Sequence, residues 1–234
     1  MRVAVIDPFS GASGDMLLGA LIDVGLAVDE VAMRLAASLD LAGYRIVAET
    51  VVRQGLRGTR VQVVVEGDQP SRDWAEIRTL LHESALPPRV KERALTVFQR
   101  LAEAEARVHG VPVERVHFHE VGAVDSIVDI VGVVWGFELL GVEAIACGPL
   151  PLSRGWVETA HGKLPVPAPA TAALLAEAAV PTVPLDIEAE LVTPTGAALL
   201  VTLARFERPA FRPERVGYGF GTRELPWPNA LRLW

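Results

Sequence analysis

The least polar stretch of the chain, residues 127–140, is apolar on nearly every side, the pattern of a helix buried all round. Just before it, the chain alternates as an extended segment, with His117 and His119 on one face and Phe118 and Glu120 on the other. Near the start, residues 2–6 are rich in β-branched side chains and read as a buried strand. A loop of small residues follows, then a helix over 16–24 closed by Gly25, and a second helix over 29–39. Two β-rich runs, 44–52 and 59–66, flank the turn residues Gln54-Gly55-Leu56-Arg57-Gly58 and predict an antiparallel hairpin. Helices are expected over 74–83 and 88–109, the second packing inward through Val90, Ala94, Val97, Leu101 and Val108.

The second half is more broken. Residues 143–147 read as a strand, 149–156 as a loop, and His161-Gly162-Lys163 as part of another loop. Pro167 and Pro169 suit the first turn of a helix over 168–178. Thr193 followed by Pro194 is an N-cap signature that opens a helix over 197–205. Closing strands are expected at 216–220 and 230–234, the latter carrying apolar side chains for a terminal strand to bury or for a following partner to cover. The sum is an α+β fold with mixed or antiparallel sheets packed with helices and one buried central helix near 125–140. It divides into an N-terminal α+β region, 1–110, and a region 111–234, or forms one compact domain.

Composition narrows the function. Half of the 234 residues are hydrophobic and 22% are charged, which excludes extensive disorder. A net charge of -7 argues against a general nucleic-acid binder, though not against a small anion in a local pocket. Cys147 is the only cysteine, so neither a disulfide framework within the chain nor a thiolate cluster is available. Asp7 interrupts the first apolar run, and 130–137 is too short to span a membrane. A soluble cytoplasmic protein, without nucleic acid or membrane partners, is the expectation; a homo-oligomer remains compatible.

Candidate chemistry concentrates between His117 and Asp129. Asp125 and Asp129 stand four apart and project from one helical face, so two imidazoles and up to three carboxylates (with Glu120) gather within a dozen residues. Imidazole and carboxylate together suit a borderline divalent metal such as nickel, zinc or iron. The plainer reading makes Asp125 a helix cap, Asp129 a first-turn acid and the histidines ordinary strand residues. The loop Ser10-Gly11-Ala12-Ser13-Gly14-Asp15 offers backbone amides to a phosphate, or is a tight turn with Asp15 as N-cap. His161 and Lys163 are candidate ligand contacts, and Thr193 and Thr195 are divided between capping and binding. His82 and His109 read as incidental.

Several of these runs together resemble one family. Phe9 to Met16, Val116 to Gly132, Thr159 to Thr171, Glu190 to Ala197 and Tyr218 to Arg223 look like signatures of the LarC family, the nickel-insertion proteins of nickel-pincer cofactor biosynthesis. The resemblance implies a CTP-dependent nickel chelatase, a lyase, that inserts nickel into pyridinium-3,5-bisthiocarboxylic acid mononucleotide for lactate racemase and related enzymes. CTP, cleaved to CMP and pyrophosphate, and Mg or Mn would serve the complete enzyme. Combined with the residue chemistry, it assigns Asp15 and Glu120 as catalytic residues. Ser10, Gly11, Ser13, Gly14, Lys163, Thr193 and Thr195 become substrate or phosphate contacts, and His117, His119, Asp125, Asp129 and His161 metal ligands. Two departures matter. The family's CTP-associated C-terminal domain is not in these residues, so it is expected as a partner in cis or in trans, and the chain alone is not expected to complete insertion. The His-rich insertion of many members is also missing after the hairpin, where Gln69-Pro70-Ser71-Arg72-Asp73 stands. A nickel carrier without catalysis and a metal-dependent phosphoester hydrolase are the alternatives.

Overall fold

The computed structural model describes residues 1–67, 69, 71–118 and 121–234. In chain order they form β1 (Val3–Asp7), α1 (Gly14–Asp23), α2 (Val28–Ser38), β2 (Tyr44–Arg53), β3 (Leu56–Val65), α3 (Trp74–Glu83) and α4 (Pro88–His109). After a 3-10 turn at Val113–Arg115 come α5 (Val124–Leu139), β4 (Ala144–Cys147), β5 (Leu150–Arg154), β6 (Trp156–Thr159) and β7 (Gly162–Pro165). The chain closes with α6 (Pro169–Glu177), β8 (Thr182–Glu188), α7 (Pro194–Leu203), β9 (Gly217–Phe220) and β10 (Ala230–Leu233). This is the expected α+β class.

The main sheet has the strand order β2-β3-β9-β10-β1-β4 and is mixed. β3 runs parallel to β9 and β1 parallel to β4, while β2–β3, β9–β10 and β1–β10 are antiparallel. It therefore draws strands from both sides of residue 110. Leu231 and Leu233, the apolar closing run, are buried in this sheet between β9 and β1.

Helix α1 lies on β3, β9 and β10, and its other side meets α5. Glycine makes the first contact close: a Cβ on Gly219 of β9 would sit 1.7 Å from the Met16 carbonyl oxygen, and one on Gly19 2.8 Å from that of Thr59. On the far side, Gly132 of α5 faces Leu18, and Gly136 faces Leu21 and Leu26. Asp129 meets Gly14 at the same interface, so contacts advance together along both helices and α1 and α5 run parallel. Helix α5 buries Ile127, Val128, Ile130, Val131, Val133, Val134 and Phe137 against α1, α2, α4 and α7, as its all-round apolar pattern requires. Helix α4 in turn carries α3, α6 and α7.

Local signals set many of the ends. Asp73 and Glu76 form a capping box on α3, each side chain accepting from the other's backbone amide at 2.8 Å. Thr193 Oγ1 accepts from the Gly196 amide at 3.2 Å, with Pro194 at the first helical position of α7. Other expectations are corrected. Helix α1 starts two residues early, with Ser13 as N-cap, so Asp15 lies in the first turn. Ala123 precedes α5, which makes Asp125 a first-turn residue too. Val108 is 39% exposed, because the last turn of α4 runs past the packed helices. The 149–156 loop contains β5 and leads into β6, and β7 begins at Gly162. The parallel partner of β5 is β8, a strand whose largely exposed residues have no strong apolar alternation.

Replacing Gly219 with alanine drives a methyl into the Met16 carbonyl. Gly219→Ala is expected to lose about 3 kcal/mol of stability, read as a lower urea midpoint. A midpoint equal to wild type would mean that α1 can lift from β9 without cost.

Candidate functional site

Parallel packing of α1 and α5 places their N-termini side by side, and α7 brings a third. A Cβ on Gly14 would lie 2.7 Å from Asp129 Cβ, 2.8 Å from its Oδ2 and 3.1 Å from Thr195 Cγ2. Gly196, in the first turn of α7, sits so close that its Cβ would meet the Ala12 carbonyl oxygen at 2.2 Å. Backbone hydrogen bonds lock the two loops: Ala12 N donates to Leu191 O at 2.9 Å, and Thr193 N to Ala12 O at 3.0 Å. Gly11 has a positive φ of 129° and no room for a side chain, since a Cβ would stand 2.0 Å from Leu191 O. Its glycine is thus explained by the fold alone.

Three carboxylates share this junction. Asp15 comes from the first turn of α1, Asp125 from the first turn of α5, and Asp129 from one turn deeper in α5. Burial raises the pKa of Asp15, and the Asp125 charge adds to it; hydrogen bonds from the Ser13 hydroxyl and from the Met16 and Asp15 amides pull the other way. Burial holds Asp129 well above the ordinary carboxylate range, reinforced by Asp15 and Asp125. Asp129 keeps part of its surface towards solvent, but its Oδ1 is sealed and has no hydrogen-bond partner among the described residues. Asp125 is exposed, and its Oδ1 accepts from the Ser126 amide at 2.8 Å.

The remaining candidates separate into groups. The Ser10 hydroxyl is fully buried, accepting from Trp227 Nε1 at 2.9 Å and facing Asn229 Oδ1 at 3.4 Å. It anchors the loop to the chain's last segment. The Gly11 and Ala12 amides bond to Pro8 and Leu191, and those of Asp15 and Met16 face the Asp15 carboxylate, so several of the loop's donors already have an internal partner. His117 is exposed between buried Val116 and buried Phe118, the expected alternation, and forms an isolated antiparallel bridge with Asp73. Its segment is held by the Ser71 hydroxyl, which donates to Phe118 O, and by Arg72 N, which donates to Gly122 O at 3.0 Å. His119 and Glu120 lie outside the described residues.

Lys163 is exposed on β7 opposite Glu158. His161 occupies the β6–β7 turn, where its amide bonds to Thr159 Oγ1 at 3.1 Å. Its ring stands 4.7 Å from that of His109, centroid to centroid. Sequence reasoning passed over His109, whose partner lies across the fold; only its place in the last turn of α4 hinted at a charge-related role. Cys147 is buried, with its thiol pushed up to about 12, mainly by burial, so it offers no thiolate to a metal. Among the described residues no group of three or more His, Cys, Asp or Glu side chains is already gathered to hold a metal ion. Among them, too, no helix is long and apolar enough to cross a membrane.

Fold and junction together define an α+β protein that collects acidic side chains at helix N-termini. A sequence model of the nickel insertion protein family matches residues 4–234, and the chain belongs to that family. A family relative from Thermomicrobium roseum is 80% identical over 234 residues, covering all of this chain and 58% of the relative. One from Desulfitobacterium hafniense, named pyridinium-3,5-bisthiocarboxylic acid mononucleotide nickel insertion protein, is 49% identical over 235 residues, again covering all of this chain and 58% of the relative. A third, from Roseiflexus castenholzii, is 51% identical and is covered to 59%. The chain thus spans somewhat over half the length of these relatives. No solved structure matches it significantly.

The raised pKa values have a consequence for stability. Asp15 and Asp129 hold protons more tightly in the native protein than in the unfolded chain, where the ordinary value is 3.8. The stability that these two groups contribute is therefore fully present below that value and is lost as pH rises through their native values. Asp129→Asn removes the buried charge and is expected to stabilise the protein by about 1 kcal/mol near neutral pH. That gain should shrink towards acid pH, as measured by denaturant midpoints across a pH series. A constant gain at every pH would contradict the assignment.

Proposed function

We propose that this chain supplies the metal- and substrate-handling part of nickel insertion into pyridinium-3,5-bisthiocarboxylic acid mononucleotide, driven by CTP in the whole protein. The observation that carries the reading is the buried Asp129 Oδ1, unpartnered among the described residues, beside Asp15 and Asp125, in a chain matched to the nickel insertion family over 4–234. Three like charges crowded at one junction are unfavourable unless protons or a cation offset them. A divalent cation arriving there would do so. The positive ends of three helices favour an anion in the same place, so a substrate phosphate and a cation are welcome together.

The chemistry asks for a labile site. Nickel must be taken up, transferred to two sulfur donors and bonded to a ring carbon that gives up a proton. Imidazole from His117 and carboxylate from Asp125 and Asp129 would hold nickel without the closed thiolate cage that resists release. A carboxylate with a raised pKa is suited to accept the ring proton, and Asp15 is the proposed base. Glu120, His119 and Lys163 keep the roles expected from sequence: alternative base, metal ligand and substrate contact. Thr193 and Thr195 would steady the substrate at the start of α7. CTP cleavage, with Mg or Mn, and a contribution from the region that the relatives carry beyond this match belong to the same proposal.

The test is formation of the nickel-containing product by mass spectrometry, with CMP release, using this chain alone and together with the remaining region of the Desulfitobacterium hafniense relative. Asp15→Asn and Asp129→Asn are each expected to lower product formation about 100-fold or more. Wild-type rates in both folded variants would overturn the assignment. Nickel binding with no product under either condition would favour a carrier. Metal-dependent phosphate release from simple esters would favour a hydrolase.

A further inference from the structure

We propose that His109, His161 and Glu105 form a second metal site, which takes His161 out of the ligand set expected from sequence, a landing place for a divalent nickel ion before insertion, a reading that rests on nickel being the protein's cargo. The three residues come from separate parts of the chain. Glu105 and His109 are one turn apart near the end of α4, and His161 reaches the His109 ring from the β6–β7 turn. The two spacings about His109 suit a shared ion, while the three donors are not yet gathered around one point. His109 Nε2 and Glu105 Oε2 stand 3.4 Å apart. Two donors each about 2.1 Å from one tetrahedral ion are separated by about 3.4 Å. The His109 and His161 rings are 4.7 Å apart and tilted by 48°. Two imidazoles bound to one ion place their centroids about 4.6 Å apart at a right angle and about 5.3 Å apart at a tetrahedral one, so the observed spacing lies near the smaller angle.

The surroundings also favour a cation. The last turn of α4 carries the negative end of the helix dipole, and Gly110 ends the helix in the left-handed conformation. Arg107, the nearby cation of that turn, pairs with Glu177 of α6. His109 and Glu105 are partly exposed, at 32% and 19% of their side-chain surface, so an ion can reach them from solvent. Two nitrogen donors and one oxygen suit nickel, zinc or cobalt and leave positions for water. Since the donors do not yet form a closed cage, binding needs a rotation of the His161 side chain, and the open positions keep release fast.

The experiment uses Ni2+ alone as the probe, with Co2+ absorption as a second readout of nitrogen ligation. His109→Ala and His161→Ala are expected to weaken the corresponding Ni2+ binding step at least 10-fold by calorimetry, and the double variant to abolish it. Glu105→Gln should weaken it less, and His82→Ala, on the exposed face of α3, should leave it unchanged. Retention of every wild-type nickel-binding step in a folded double variant, checked by circular dichroism, would overturn the proposal and leave only a ring–ring contact. In a product-forming preparation, the double variant should be slow at limiting nickel and recover at saturating nickel. If no preparation forms product, the insertion reading fails, yet the Ni2+ titration still decides this site.

Discussion

The close parallel contact between α1 and α5 is the constraint on which the site depends. Gly132 and Gly136 let α5 approach Leu18 and Leu21, while Gly19 and Gly219 let α1 settle on the sheet. A side chain at Gly19, Gly136 or Gly219 would crowd these layers, whereas a Cβ at Gly132 would only touch Leu18, and the first casualty of crowding would be the alignment of the two N-termini. Gly14 has the same role at the point of chemistry, because only a residue without Cβ leaves room for Asp129 and Thr195 together. Small residues here are a condition for bringing acids from two helices to one place.

That gathering has an energetic cost. Asp129 is sealed on one oxygen and faces two other carboxylates, an arrangement that a folding-only sequence would replace with an apolar or amide side chain. Helix N-termini offset part of the repulsion, since their exposed amides favour negative charge. The Ser13 hydroxyl and the first-turn amides serve Asp15 in this way. What they leave uncompensated is what makes the junction receptive to protons and cations.

The exposed imidazole pair at the end of α4 stands in physical contrast. There the donors are partly solvated, the helix end is negative, and little desolvation opposes an arriving ion. An accessible, weakly organised set of donors favours rapid exchange, whereas the buried acids favour tight coupling between cation and proton.

Elements governed by neighbours in sequence were readable directly. The all-round apolar run 127–140 predicted α5, Thr193-Pro194 opened α7, and the alternation of Val116, His117 and Phe118 placed His117 outward. Asp125 and Asp129 could be put on one helical face by their spacing. Their convergence with Asp15 could not, because it depends on which helix α5 packs against and in which direction. The assignment of Gly11 and Ser10 was ambiguous for a related reason: a glycine-rich turn looks the same whether it faces a phosphate or the Leu191 carbonyl, and Ser10 meets Trp227 only after the last strands join the sheet. The β5–β8 ribbon and the pairing of His109 with His161 also arise between distant segments. Sequence by itself determined the local periods, the caps and the kinds of chemical group available. Only the tertiary structure decided which of those groups meet, because contacts between remote segments are set by packing of whole layers, which no local pattern encodes.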